Sequence, residues 1–424
     1  GCGLFTNQII LSDFMEEHQI NIRMFRPMES YQKYGGVLTF ARSVGYAVVK
    51  KPEGYTTAKV DQIIQEYEKK SANEQQSTAK QYPNIITVVN ETFADIKVLG
   101  DFKTNEDYMP YFHSLKKNCV TGYTYASIVG GQTANTEFEL LTGNTLGFLS
   151  AGTTAFQLYI HGQMPSLVSN LKAEGYSGNK AMHPFNPYNY NRPAVYKDFG
   201  FTDFIDKFDF PKNVKRVREY ISDEANVDRI ISEYEKNRKK TDQPFYMYNM
   251  TIQNHSPYDK DAANFKQPIK IESSKYDAEA NRYLNLIKYS DDSLKQLTGY
   301  FEKCKEPTII LFLGDHQPRL TDEFMNKITN GQYQTWSSEQ MMKRYQVPFV
   351  IWANYDIKEQ HIEKTSMNYI QSILTKTAGV KMTGYQRFLN EVRKEVPTIT
   401  SQGYWGKNGK FYQINDKGSP YYGI

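Results

Sequence analysis

The chain has 424 residues, 39% of them hydrophobic and 23% charged, and 51 basic against 47 acidic side chains leave a formal charge of +4. So even a balance excludes a dedicated nucleic-acid binder, whose footprint is strongly basic, and 33 tyrosines, 24 phenylalanines and 3 tryptophans exclude lasting disorder. No uncharged apolar run approaches the roughly 18 residues of a membrane helix.

Residues 1–35 have no clear period. Residues 1–35 show no basic region followed by an apolar core and a cleavage site, so no signal peptide is visible within them, and the start Gly1-Cys2-Gly3 lacks an initiator methionine; the chain reads as a piece of a longer protein. Residues 36–49 read as a short amphipathic helix that Lys51-Pro52-Glu53-Gly54 breaks. A charged helix over 57–71 follows, with Val60, Ile63, Ile64 and Tyr67 on one side. The polar stretch 71–81 reads as a linker, which makes 1–80 an arm leading into a domain.

From Pro83 the pattern changes. Short β-branched or aromatic runs at 84–90, 245–250, 307–313 and 348–352 predict strands, and 166–173, 214–239, 277–303 and 366–378 predict helices. The alternation implies an α/β fold, a mostly parallel central sheet with helices on both faces. The tail from about 395, rich in Gly, Tyr and Lys, predicts a small antiparallel element. The expected division is an arm (1–80), a catalytic domain (81–390) and a C-terminal extension (391–424) packed on it. Cys2, Cys119 and Cys304 have neither metal-type spacing nor a disulfide framework.

In such sheets chemistry sits beyond the carboxyl ends of the strands. Glu91 follows the first strand, His255 the run 245–250, and the pair Asp315-His316 the run 307–313. Two carboxylates and an imidazole make a mixed O/N site for a divalent cation such as manganese, magnesium or zinc. Singly, Glu91 has a plain alternative as a helix cap and Asp315 as the start of a turn. The turn Gly130-Gly131-Gln132-Thr133 opens a helix, where a hydroxyl meets free N–H groups and the positive end of the dipole. Thr133 has an alternative too, as an N-cap with Thr136 or Glu137 completing the arrangement.

Asn-Glu-Thr (90–92), Gly-Gly-Gln-Thr-Ala-Asn-Thr-Glu-Phe (130–138), Asn-His-Ser-Pro-Tyr (254–258) and Leu-Gly-Asp-His (313–316) stand in an order and spacing that is familiar. Over about 83–390 the chain resembles the extracellular catalytic domain of lipoteichoic acid synthase-like phosphoglycerol transferases, in the alkaline phosphatase/sulfatase superfamily. It is similar also to glycerol phosphate transferases that decorate rhamnose-containing wall polysaccharides. The resemblance implies that Glu91, Thr133, Asp315 and His316 hold the metal and that Thr133 is the nucleophile. It places His255, His183, Arg192 and Tyr190 around the substrate. Phe185 and Tyr190 stand where lipoteichoic acid synthases proper have Asp and Trp, a departure in the part that reads the headgroup.

The resemblance further implies a juxtamembrane role for the arm, a missing N-terminal transmembrane region, and an extracellular domain at a Gram-positive type of cell membrane. Phosphatidylglycerol is the expected donor. The expected acceptor is a wall-polysaccharide sugar or polyglycerolphosphate, reached through a covalent threonine intermediate. In that scheme Arg192 grips the phosphoryl oxygens, and His255 or His183 moves the protons. Water in place of the acceptor would give a phosphodiesterase, the alternative reading. His18, His113, His161 and His361 are expected at the surface or satisfied in the core. Lys212, Lys215, Arg216 and Arg218 are expected on a solvated helix face.

Overall fold

The computed structural model describes residues 27–47, 49, 51–73, 81–272 and 277–423. Residues 1–26 of the arm, with Cys2 and His18, lie outside the described residues, as do 74–80 of the expected linker. Helix α1 (Pro27–Ala47) contains the helix expected from 36 and kinks at Gly35, whose φ is 78°; the side chains of 41–48 are also outside the description. Helix α2 (Thr57–Ala72) starts on Thr56, whose hydroxyl accepts from the Lys59 N–H at 3.1 Å. Of its four expected inward residues, Ile63 and Tyr67 are half-buried while Val60 and Ile64 are exposed.

The domain then runs β1 (Asn84–Asn90), β2 (Cys119–Tyr125), α3 (Thr133–Thr142), α4 (Leu167–Ala173), β3 (Ser177–Met182), α5 (Arg192–Phe199) and β4 (Asp203–Ile205). Next come β5 (Arg216–Val217), β6 (Tyr220–Ile221), α6 (Asp223–Arg238), β7 (Phe245–Met250), α7 (Ala278–Phe301) and β8 (Thr308–Gly314). Strands β9 (Gln346–Ala353) and β10 (Gln360–Ser366) lead to α8 (Met367–Ala378) and α9 (Gly384–Glu395). The main sheet has the order β10-β2-β9-β8-β1-β7-β3-β4. It is parallel from β8 to β4, whereas β9 runs antiparallel to both its neighbours.

The two faces of the sheet feed two cores. Ile85, Val89, Ile309 and Leu311 point to α3, α4, α5 and α8, while Ile86, Val88, Ile310 and Phe312 point to α6 and α7. Every residue of β1, β7 and β8 is buried, which is why these strands read as continuous apolar runs.

Four strands of the main sheet escaped the sequence reading. β2 and β3 contain glycine and polar residues, β4 is three residues long, and β10 (Gln-His-Ile-Glu-Lys-Thr-Ser) lies at the sheet edge with a polar side to solvent. The helix expected over 214–239 begins only at Asp223, where the Ser222 hydroxyl accepts from the Ala225 N–H. The residues before it form the β5–β6 hairpin, turned by Arg218 in the left-handed region (φ 54°).

The tail forms β11 (Thr398–Thr400), β12 (Gly403–Trp405) and β13 (Phe411–Tyr412), an antiparallel sheet as expected. Helix α9 runs through residue 390 and carries the arm: Tyr67 of α2 packs edge-on to Phe388, and the Ser71 hydroxyl donates to the Met382 carbonyl at 2.5 Å. Among the described residues no helix is long and apolar enough to cross a membrane.

Candidate metal centre and nucleophile

Register brings the acids together. Asn90 at the end of β1 pairs with Gly314 at the end of β8, so Glu91 and Asp315 leave adjacent strands side by side. Gly314 is required there, because a Cβ would fall 1.8 Å from the Phe93 carbonyl oxygen. Asp315 Oδ1 accepts from the Thr92 N–H (2.7 Å) and the His316 N–H (2.8 Å), and its Oδ2 accepts from the Thr133 hydroxyl (2.9 Å). Ligand atoms of Glu91, Asp315 and His316 all lie within 4.8 Å of one another, and the three residues are buried.

The imidazole tests whether these residues suit a cation. His316 Nδ1 lies 2.9 Å from the Gln317 carbonyl, an acceptor only, so that nitrogen carries the proton. Nε2 then presents its lone pair 3.1 Å from Asp315 Oδ2 and 3.9 Å from Glu91 Oε1, buried and without a hydrogen-bond partner. A bare nitrogen aimed at two carboxylates is repulsive by itself and becomes favourable around a positive ion. The Glu91 carboxyl is pushed well above its usual range, first by burial and then by Asp315 beside it. The donor set therefore fits a divalent metal.

Thr133 is the first residue of α3, and the N-cap is Gln132, held at φ 65° with no side-chain cap bond. The capping alternative fails: Thr133 points to Asp315, Thr136 donates to the Asp315 carbonyl at 2.8 Å, and Glu137 turns to Arg192. No helix follows Glu91 directly either; a turn does.

Around this centre lies a cleft of about 2040 Å³, lined by Glu91, Thr133, His183, Tyr190, Arg192, His255 and His316, with Asp315 beneath. His183 leaves β3 and is buried; its Nδ1 donates to the Met250 carbonyl at 2.9 Å. Burial, then the nearby Arg192 charge, hold its pKa well below the usual value, so Nε2 is an acceptor. His255 is half-buried, its pKa lowered mainly by burial, and its Nδ1 donates to the Ser256 carbonyl at 2.7 Å. Its ring stacks on Phe185 (6.0 Å between centroids) and meets Tyr220 (5.7 Å). Phe185 is thus a wall for this imidazole.

Arg192 is less free than the resemblance implied. Its Nε and Nη2 both donate to Glu137 Oε1 (3.1 and 2.7 Å), and Nη1 reaches the Asn189 carbonyl at 3.4 Å. Tyr196 and Tyr248 donate to the other Glu137 oxygen. Tyr190 lies with its ring 5.1 Å from the guanidinium.

Sequence reasoning missed Glu137 in this role, and it misplaced Arg218. That residue lies on the hairpin, not on a solvated helix, and its guanidinium donates to the carbonyls of Gln253, His255 and Pro257 at 2.7–2.8 Å. It missed Asp223 as well, which accepts from Asn90, next to Glu91, and from Ser290. Arg319 lines the cleft four residues past Asp315, a position the Gly-Asp-His motif points to. Among the remaining histidines, His113 pairs with Asp107 and Asp95, His361 meets Thr121, and His161 meets the Leu158 carbonyl.

A mostly parallel sheet wrapped by helices, with Glu, Asp, His and Thr at the carboxyl ends of its strands, defines an alkaline phosphatase-like domain. The chain belongs to the sulfatase family, whose family model matches residues 83–380. A Rhizobium meliloti (strain 1021) protein named for cyclic beta-1,2-glucan modification is 31% identical over 395 residues, 91% of this chain and 59% of that one. The chain therefore spans less than two thirds of that relative. The solved Streptococcus pyogenes phosphoglycerol transferase GacH, in complex with sn-glycerol-1-phosphate, superposes with a TM-score of 0.69 at 20% identity, covering 82% of this chain and 89% of the other. The lipoteichoic acid synthase LtaP from Listeria monocytogenes gives 0.59 at 19% identity, covering 83% and 93%.

Proposed function

We propose that the protein transfers glycerol phosphate from phosphatidylglycerol, through a covalent Thr133 intermediate, to a hydroxyl of a cell-envelope polymer. The observation that carries this is the Thr133 hydroxyl at the start of α3, 2.9 Å from a carboxylate of a buried Glu–Asp–His set. The phosphoglycerol transferase and lipoteichoic acid synthase named above support the reaction class.

Glu91, Thr133, Asp315 and His316 would hold one divalent cation, manganese first. A cation bound there lowers the pKa of the hydroxyl and offsets charge on the phosphoryl oxygens. Thr133, held ionised there, would form its bond to phosphorus as the bond to the diacylglycerol oxygen breaks, and would leave phosphorus again as an alkoxide when the acceptor oxygen bonds to it. Arg192, fixed by Glu137, contributes its positive charge and Nη1 to the phosphoryl group. His183 Nε2 accepts from a glycerol hydroxyl, and Tyr190 closes that side. In the second displacement His255 Nε2 takes the proton of the incoming hydroxyl; on the next cycle it returns that proton to the departing lipid alkoxide.

The acceptor is a sugar rather than polyglycerolphosphate. Supporting this, Phe185 and Tyr190 remove a carboxylate and an indole from the headgroup side, and the relative covering 91% of the chain is named for glucan modification. The domain works outside the cytoplasmic membrane, where such polymers and the lipid headgroup meet. The test offers labelled phosphatidylglycerol with polyglycerolphosphate, a rhamnose polymer and a β-1,2-glucan side by side. Label on a sugar polymer is expected. Label only in free glycerol phosphate would make the protein a phosphodiesterase, and label on polyglycerolphosphate alone would overturn the sugar assignment.

A further inference from the structure

The cleft is larger than its chemistry needs. At about 2040 Å³ it is twice the roughly 1,000 Å³ at which small-ligand pockets usually end. Its lining continues past Thr133 through Asn135 and Phe138 of α3 to the loop 143–153 and to residues of 385–423. At about 1.5 Å per residue the ten residues of α3 put the far end about 15 Å from the nucleophile.

That far arm is where the protein shows its rings. Beyond residue 83 the exposed large apolar side chains among the described residues are Phe148, Tyr188, Phe208, Tyr385 and Tyr422, and three of them, Phe148 (66% exposed), Tyr385 (41%) and Tyr422 (43%), line this arm. Of the aliphatic residues on the same wall Leu389 and Val396 are buried, while Leu149, Val392, Ile399 and Ile414 are half-buried. Amides, Asn144, Gln402 and Gln413, line the cleft as well, each able to donate and to accept. Away from the catalytic residues the charged side chains of the cleft are Lys51, Arg319 and Arg344 against Glu53 and Glu279, with no run of one sign.

The platform is tied to the nucleophile's helix. Asn135 of α3 holds the end of the loop 143–153 through the Thr153 carbonyl (2.8 Å) and the Ala155 N–H (3.0 Å), and Glu139 holds its start through the Leu146 N–H (2.9 Å). The Tyr385 hydroxyl donates to Asn144 Oδ1 at 2.7 Å and so fixes its ring. Aromatic faces at set positions, amides in the same cleft and little net charge suit a chain of uncharged sugars, whose rings present apolar faces and hydroxyl edges. They suit neither a polyanion nor an acyl chain.

We infer that this arm is the acceptor subsite, binding a neutral oligosaccharide across Phe148, Tyr385 and Tyr422 so that its leading hydroxyl reaches Thr133. The inference rests on the transferase reading for the purpose of the site, but its test is binding alone. Titrations by NMR or calorimetry compare a β-1,2-glucan hexasaccharide and a rhamnose hexasaccharide with a glycerophosphate hexamer and dihexanoyl phosphatidylglycerol. At least one sugar should bind, and Phe148→Ala and Tyr385→Leu should each weaken it by about tenfold, the order of one aromatic contact. Phe148 is exposed enough for its variant to fold, and Phe208→Ala, an exposed ring outside the cleft, should bind as the parent does. Sugar binding unmoved in both variants, variants that impair only glycerophosphate or lipid binding, or no sugar binding at all would overturn the subsite. Sugar binding without any transfer would overturn the proposed reaction and leave the subsite standing.

Discussion

At the residue scale the site is a set of nitrogen and oxygen atoms whose partners decide their roles. His316 Nε2 has no protein partner, so His316→Ala and Asp315→Ala should each lower divalent-metal affinity by at least about 100-fold, measured on the purified variants by elemental analysis and competition with a chelator. Stoichiometric metal in both would remove the centre. Thr133→Ala should show no glycerophosphoryl adduct by intact mass after incubation with phosphatidylglycerol, where the parent protein does. Arg218 touches no reacting group, yet its three carbonyl contacts leave the segment carrying His255 one conformation. Arg218→Ala should therefore keep its metal while kcat falls about 10- to 100-fold, the cost of a misplaced general base; an unchanged kcat would dismiss the clamp. The buried Glu91–Asp315–His316 cluster was legible because acid and imidazole types follow buried strands directly. Glu137 and Arg218 were not, because what makes them matter is a partner 55 or 35–39 residues away.

At the element scale, two contacts carry predictions. Gly384 at the start of α9 lies against α2, where a Cβ would come within 2.7 Å of Glu68 Oε1 and 2.9 Å of the Glu68 backbone nitrogen. Gly384→Ala should push α2 away at a cost of about 1–3 kcal/mol, seen as faster limited proteolysis within 57–72; an unchanged cleavage rate would mean α2 is not held there. In the short helix Pro110–Ser114 between β1 and β2, His113 meets Asp95 and Asp107, and the hydrogen bond to Asp95 leads in raising its pKa to about 9. Its folded pKa exceeds the ordinary value, so its stabilisation is complete below about pH 6.5 and fades as pH rises through 9. Melting temperature should fall across that window and do so less steeply in His113→Phe; parallel curves would refute the linkage. Strands with two buried faces were readable from sequence. β10 was not, because its polar face looks like a loop, and neither was the β5–β6 hairpin, whose turn uses an arginine where glycine or asparagine is the usual signal.

At the scale of the whole molecule, the order of strands and the order of site residues coincide. Across β8, β1, β7 and β3 the sheet presents Asp315 with His316, then Glu91, then His255, then His183. The sequence could supply this list, since each residue follows a hydrophobic run or a recognisable motif. It could not supply the sideways order, because strand neighbours are set by packing between segments far apart. The antiparallel insertion of β9 between β8 and β2 went unread for the same reason.

That arrangement governs how the protein comes into being. β1 has no partner until β7 and β8 arrive, and the pairs Ile85↔Tyr246 and Ile85↔Ile309 close loops longer than most small domains. Such non-local pairing makes folding slow and leaves apolar strand edges open meanwhile. Capture of the proposed cation would need Glu91 and His316 together, so it would belong at the end of folding. On refolding from denaturant with manganese present, metal uptake should lag behind the recovery of tyrosine and tryptophan fluorescence. A chain stopped before residue 316 should stay metal-free however long it is given, and exposed to proteases throughout.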